Sequence, residues 1–87
     1  MDELFNSRLN YQAAEQPVVP LLPKRLKQLR GFHLLTQNEV APVLHMDRST
    51  YAYYETGKNQ PEIETLMKLA RFYSVSVDFL LGMDKAA

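Results

Sequence analysis

Thr36-Gln37-Asn38-Glu39-Val40-Ala41-Pro42-Val43-Leu44-His45-Met46-Asp47-Arg48-Ser49-Thr50-Tyr51-Ala52-Tyr53-Tyr54-Glu55-Thr56-Gly57 is the stretch whose reading decides the fold. Two helix starts are written into it. Thr36 offers an N-cap oxygen and Glu39 stands three residues on, the spacing at which the two side chains satisfy two orphan amides reciprocally. Asp47 supplies a second cap, followed by Arg48 to Glu55 with Tyr51 and Tyr54 on one helical face. The pattern predicts short helices over Gln37–Leu44 and Arg48–Glu55 joined by about three residues, the spacing of a helix-turn-helix. The first presents Val40, Val43 and Leu44, and Pro42, which removes an amide donor, is expected to kink or shorten it. Thr56-Gly57-Lys58-Asn59-Gln60-Pro61 ends the second, with a glycine suited to a left-handed cap.

Toward the N-terminus, Leu26 and Leu29 share one face of a helix predicted from Lys24 and weakening at Gly31, where glycine costs about 1 kcal/mol relative to alanine. Pro17, Pro20 and Pro23 predict an extended linker over Gln16–Pro23. Leu4, Phe5, Leu9 and Tyr11 give residues 1–16 only a weak helical stripe. Toward the C-terminus, a helix over about Glu62 to Tyr73 carries the stripe Ile63, Leu66, Leu69, Ala70, Tyr73. Ser76 then caps a last helix, Val77 to Leu81, stopped by Gly82. Five short helices without a strand signal predict an all-α domain over 24–83, preceded by an arm, 1–23, and followed by a tail, 84–87.

The 87 residues leave room for one core, so regulation is expected through dimerisation, partners or abundance rather than a separate sensor domain. A hydrophobic share of 46% against 23% charged residues is that of a globular chain, not a wholly disordered one. No apolar run approaches the roughly 20 residues that cross a bilayer, and Met1-Asp2-Glu3 is acidic where a secretory signal starts positive, so a cytoplasmic location is expected. There is no cysteine, and His33 and His45 are too few for a metal site; no cofactor is expected. No nucleophile beside a base, carboxylate pair set for acid–base work or phosphate-cradling glycine loop appears, which argues against an enzyme. Net charge is zero, with one base against three acids in 1–23 and nine against seven in 24–87, so binding to phosphate depends on how the bases cluster.

Arg25-Leu26-Lys27-Gln28-Leu29-Arg30, Leu35-Thr36-Gln37, Glu39-Val40-Ala41, Arg48-Ser49-Thr50, Tyr54-Glu55-Thr56-Gly57-Lys58, Gln60-Pro61, Glu64-Thr65-Leu66-Met67-Lys68-Leu69-Ala70 and Val75-Ser76-Val77-Asp78-Phe79-Leu80-Leu81-Gly82 fall in one register. Together they resemble the Cro and phage-repressor type of helix-turn-helix domain, also called the xenobiotic-response-element family, from Lys24 to about Met83. The resemblance implies a five-helix, lambda-repressor-like domain that binds double-stranded DNA as a dimeric repressor at a palindromic operator. It implies that Arg48, Ser49 and Tyr53 face base edges and that Gln37, Thr56, Lys58 and Asn59 contact phosphate. It also implies an ion pair between Arg30 and Glu55 and buried positions for Tyr51 and Tyr54. Phe79, apolar where relatives are often polar, and Met83 are candidates for the dimer surface.

Relatives usually place glycine near Leu34 and His45. Its absence here predicts a first turn shifted toward Gly31 and either strain or a different turn at His45. Zero net charge and Pro42 keep a second function open, a protein-interaction module of antitoxin type that uses the same helical domain or the apolar arm.

Overall fold

A computed structural model describes residues 21–84, which form five helices without a strand. These are α1 (Leu22–Phe32), α2 (Gln37–Val43), α3 (Arg48–Thr56), α4 (Ile63–Phe72) and α5 (Val77–Leu81). The weak helix expected in 1–16 and most of the proline-punctuated linker lie outside the described residues.

Helix α1 begins at Leu22, two residues before the expected Lys24, and Pro23 sits in its first turn. Proline is tolerated there because the first-turn amides have no intrahelical partner to lose. Leu22 and Leu26 are buried. The helix then runs through Gly31 to Phe32, so the expected turn at Gly31 is corrected: the left-handed residue is Leu34, at φ 58°.

Three connectors share one construction. Between α1 and α2, the amides of Leu34 and Leu35 donate to Gly31 and Arg30 carbonyls; between α2 and α3, those of His45 and Met46 donate to Pro42 and Ala41; between α4 and α5, those of Ser74 and Val75 donate to Arg71 and Ala70. Each is a Schellman closure around one left-handed residue. Leu34, His45 and Ser74 hold φ of 58°, 57° and 56°. A partly buried apolar residue follows (Leu35, Met46, Val75), and then the next helix's cap, Thr36, Asp47 or Ser76. Each cap oxygen accepts the amide three residues on, from Glu39, Thr50 and Phe79, and at Thr36 the capping box is complete.

Pro42 lies inside α2, which ends at Val43, two residues before its left-handed residue as α1 and α4 do, and the α2–α3 connector keeps the hydrogen bonds of the other two. Val40 and Ala41 of α2 and its C-cap residue Leu44 are buried, whereas Val43, on the other flank of the Val40–Leu44 row, is exposed. On α4 the packed stripe runs from Leu66 through Leu69 and Ala70 to Tyr73, at the α4 C-cap, while Ile63, the first helical residue, is exposed. The core comprises these residues with Leu22, Leu26, Tyr51 and Leu80, and α3 packs against both α1 and α2.

Candidate nucleic-acid interface

Helix α3 divides its residues between the core and the surface. Tyr51 is fully buried, and its hydroxyl lies 2.5 Å from that of Tyr73. Burial first, then hydrogen bonding to Tyr73 and Glu55, pushes the Tyr51 phenol far above its ordinary range. Tyr54 is half-buried against the core, whereas Arg48 and Tyr53 are exposed.

The side chain of Glu55 is only 2% exposed. Arg30 grips it with two nitrogens, Nε at 2.7 Å from Oε2 and Nη2 at 3.0 Å from Oε1, and its Nη1 donates to the Leu35 carbonyl. The pair thus ties α1 to the end of α3 and to the first connector. Burial pushes the Glu55 carboxyl up, but hydrogen bonds from Arg30, Tyr51 and Gln37 outweigh it and hold the group below the usual carboxylate range. The hydrogen bond to Glu55 raises Arg30 in turn, so both partners stay charged.

The chain of bonds continues outward. Gln37 Nε2 donates to Glu55 Oε1 at 3.2 Å, and Arg48 Nη1 donates to Gln37 Oε1 at 3.2 Å. Arg48 is therefore turned toward α2 and makes no hydrogen bond with the neighbouring Asp47. Asp47 instead accepts from the Thr50 amide and from Ser49 Oγ, bonds that hold its carboxyl below the ordinary range. The Ser49 proton is committed to Asp47, so its oxygen offers lone pairs.

Past α3, the Lys58 ammonium lies over the Tyr53 ring, 4.7 Å from its centroid. Thr56 Oγ1 donates to the Tyr53 carbonyl, and the Asn59 amide reaches the same oxygen. Thr56, Lys58 and Asn59 are all exposed. Arg48, Gln37 and Thr56 share an open cleft of ≈ 470 Å³ with Lys27, Thr36 and Asn38. Lys27 and Asn38 were not singled out in the sequence. For Lys27 the usable signal was its place one turn before Arg30 on α1, and for Asn38 its place beside Gln37 at the start of α2.

The charge distribution is uneven. Residues 24–60 carry six bases against three acids, and one of those acids, Glu55, is neutralised by Arg30; residues 61–84 carry two bases against four acids. The zero total thus conceals a basic first half of the domain that contains α2 and α3.

Phe79 and Met83 lie apart from this cleft. Met83 is 65% exposed, but Phe79 is half-buried with the Arg25 guanidinium 4.2 Å from its ring centroid. Arg25 also donates to the Phe79 carbonyl and pairs with Asp84 at 2.6 Å. Among the described residues no group of three or more His, Asp or Glu side chains is placed to hold a metal ion, and no helix is long and apolar enough to cross a membrane.

A family model described as helix-turn-helix matches residues 26–80. The chain is 42% identical over 60 residues to the HTH-type transcriptional regulator YobD of Bacillus subtilis, covering 69% of this chain and 54% of that protein. It is 39% identical over 66 residues to the HTH-type transcriptional regulator ImmR of the same organism, covering 76% and 52%. This chain therefore spans about half the length of these relatives. A crystal structure of a transcriptional regulator from Listeria innocua matches with a TM-score of 0.72 at 30% identity, over 80% of this chain and 65% of that one. On the match over 26–80 and these likenesses, the chain belongs to the helix-turn-helix family of the Cro and phage-repressor, or xenobiotic-response-element, type.

Proposed function

We propose that the protein binds duplex DNA sequence-specifically and acts as a transcriptional repressor, with α3 entering the major groove. The observation that carries this reading is the joining of exposed Arg48, at the start of α3, to Gln37, at the start of α2, beside a cleft in which Lys27 and Arg48 have no acidic partner among the described residues. Arg48, Ser49 and Tyr53 are the proposed base contacts. A guanidinium fork matches guanine O6 and N7, worth about 1–3 kcal/mol of discrimination. The Ser49 oxygen, its proton already given to Asp47, suits the exocyclic amine of cytosine or adenine. Gln37, Thr56, Lys58 and Asn59 are the proposed phosphate contacts, which set position without reading sequence.

A homodimer on a two-fold operator completes the proposal, with Met83 and the Arg25-covered Phe79 in its interface. The interaction-module reading has its own support in exposed Phe32, Leu34 and Ile63, at 81%, 89% and 78%. The two functions are compatible in one small protein.

Fluorescence anisotropy on randomised and genomic-upstream duplexes at two salt concentrations tests the reading. Wild type is expected to select a palindromic site, and Arg48→Ala to relax that selection. Lys58→Ala is expected to weaken all sequences together and reduce the salt slope by about one. Failure to bind any duplex at low salt overturns the DNA-binding function and leaves the protein partner as the object of search.

A further inference from the structure

The buried carboxylate of Glu55 holds more than Arg30. Its Oε1 takes hydrogen bonds from Arg30 Nη2 and from Gln37 Nε2. A glutamine amide presents donors on one side and an acceptor on the other, and the two orientations are nearly equal in shape. A carboxylate accepts only. Glu55 therefore selects the orientation in which the Gln37 nitrogen faces inward and its oxygen faces Arg48. In the reverse orientation the Gln37 oxygen would face the Glu55 carboxylate, acceptor against acceptor, and its amino group would face the Arg48 guanidinium, donor against donor, so nothing would draw Arg48 toward α2.

We infer that Glu55 is a positioning residue for sequence reading: by fixing the Gln37 amide it aims the Arg48 guanidinium from a helix it does not share with Gln37. This rests on the DNA-binding function proposed above. The bond to Gln37 uses one of the five N–H donors of Arg48, so four remain for a base. Arg48 then meets the groove with less rotamer freedom left to lose, a gain in discrimination rather than in overall grip.

The test separates discrimination from grip and from folding. In full-length protein, Glu55→Gln replaces an acceptor-only group with one that both donates and accepts, and so releases the amide. Its ratio of selected-site to scrambled-duplex affinity is expected to fall about fivefold, the worth of one hydrogen bond, whatever smaller loss both duplexes share through the phosphate contact of Gln37. In an Arg48→Ala background the same change is expected to leave the ratio unmoved. A loss of equal size with and without Arg48 overturns the inference. Gln37→Met, which leaves the Arg30–Glu55 pair intact, serves if Glu55→Gln fails to fold: released Arg48 lowers the ratio, whereas loss of a phosphate contact alone weakens both duplexes equally and counts against the inference. Side-chain amide NMR of the free protein gives an answer without DNA. A Gln37 amide resonance that is the same in wild type and in Arg48→Ala, at its random-coil position in both, refutes the network even if DNA binds; absence of DNA binding with the resonance displaced refutes the function and the inference of sequence reading together.

Discussion

Two kinds of helix end coexist in this domain. At the ends of α1, α2 and α4 the left-handed residue carries a side chain, Leu34, His45 or Ser74; at the ends of α3 and α5 it is glycine, Gly57 at φ 80° and Gly82 at φ 76°. All five demand a conformation that L-residues adopt at a cost of about 1 kcal/mol or more. The surroundings differ. Leu34, His45 and Ser74 are exposed, whereas a Cβ on Gly82 would lie 2.7 Å from Leu21 Cδ1 and one on Gly57 would lie 3.4 Å from Pro23 Cγ. Glycine stands where the start of α1 comes close, and a side chain is accepted where the turn faces water.

The comparison assumes that α1 is held in place, so the largest effect should come from its tie to α3. Arg30→Ala strands the Glu55 carboxylate and is expected to lower stability by about 3 kcal/mol; an unchanged urea midpoint would mean that α1 is held by apolar packing alone. Acid should act on the same tie. Because the folded Glu55 carboxyl titrates below its unfolded value of about 4.3, its stabilisation is complete above that value and is lost as pH falls through the lower, folded one. Urea midpoints from pH 6 down to pH 3 should drop for wild type and stay flatter for Glu55→Gln.

Gly82→Ala combines backbone strain with displacement of Leu21 and is expected to cost about 2–3 kcal/mol. Gly57→Ala meets only ordinary contact distance, so strain alone should apply, about 1 kcal/mol. Equal losses at the two sites would show that proximity of α1 is irrelevant. Gly31 is a glycine that neither φ nor crowding requires, since among the described residues nothing beyond its chain neighbours and its own helix backbone would come within 4 Å of an added Cβ; Gly31→Ala should raise the melting midpoint, by about 0.7 kcal/mol in stability. The smallest change is expected at Leu34→Gly, a gain of about 0.5 kcal/mol as relieved strain is partly offset by unfolded-state entropy. A loss there would reveal packing by Leu34 that its exposure does not suggest.

These helix ends also mark how far the sequence could be read. Thr36, Asp47 and Ser76 were legible as caps, and Gly57 and Gly82 as stops, because their chemistry is completed within three or four residues. A leucine at a left-handed position has no such signature, which is why the first turn was expected at Gly31. The fold class followed from those caps and from apolar spacing. The side-chain network did not, since Arg30–Glu55, Gln37–Glu55 and Arg48–Gln37 join residues 25, 18 and 11 apart. Family resemblance supplied the first of these pairs; no local pattern gave the other two. The cover that Arg25 gives Phe79 spans 54 residues and was likewise invisible to periodicity.

The repeated connector has a kinetic consequence. Each of its closures links carbonyl and amide within five residues, and the following cap acts over three more, so three of the four changes of chain direction form from neighbours in sequence. Little loop entropy must be surrendered before these bonds form. Refolding is therefore expected in the microsecond-to-millisecond range of helical domains, with the α3–α4 link, the one joint built differently, setting the pace.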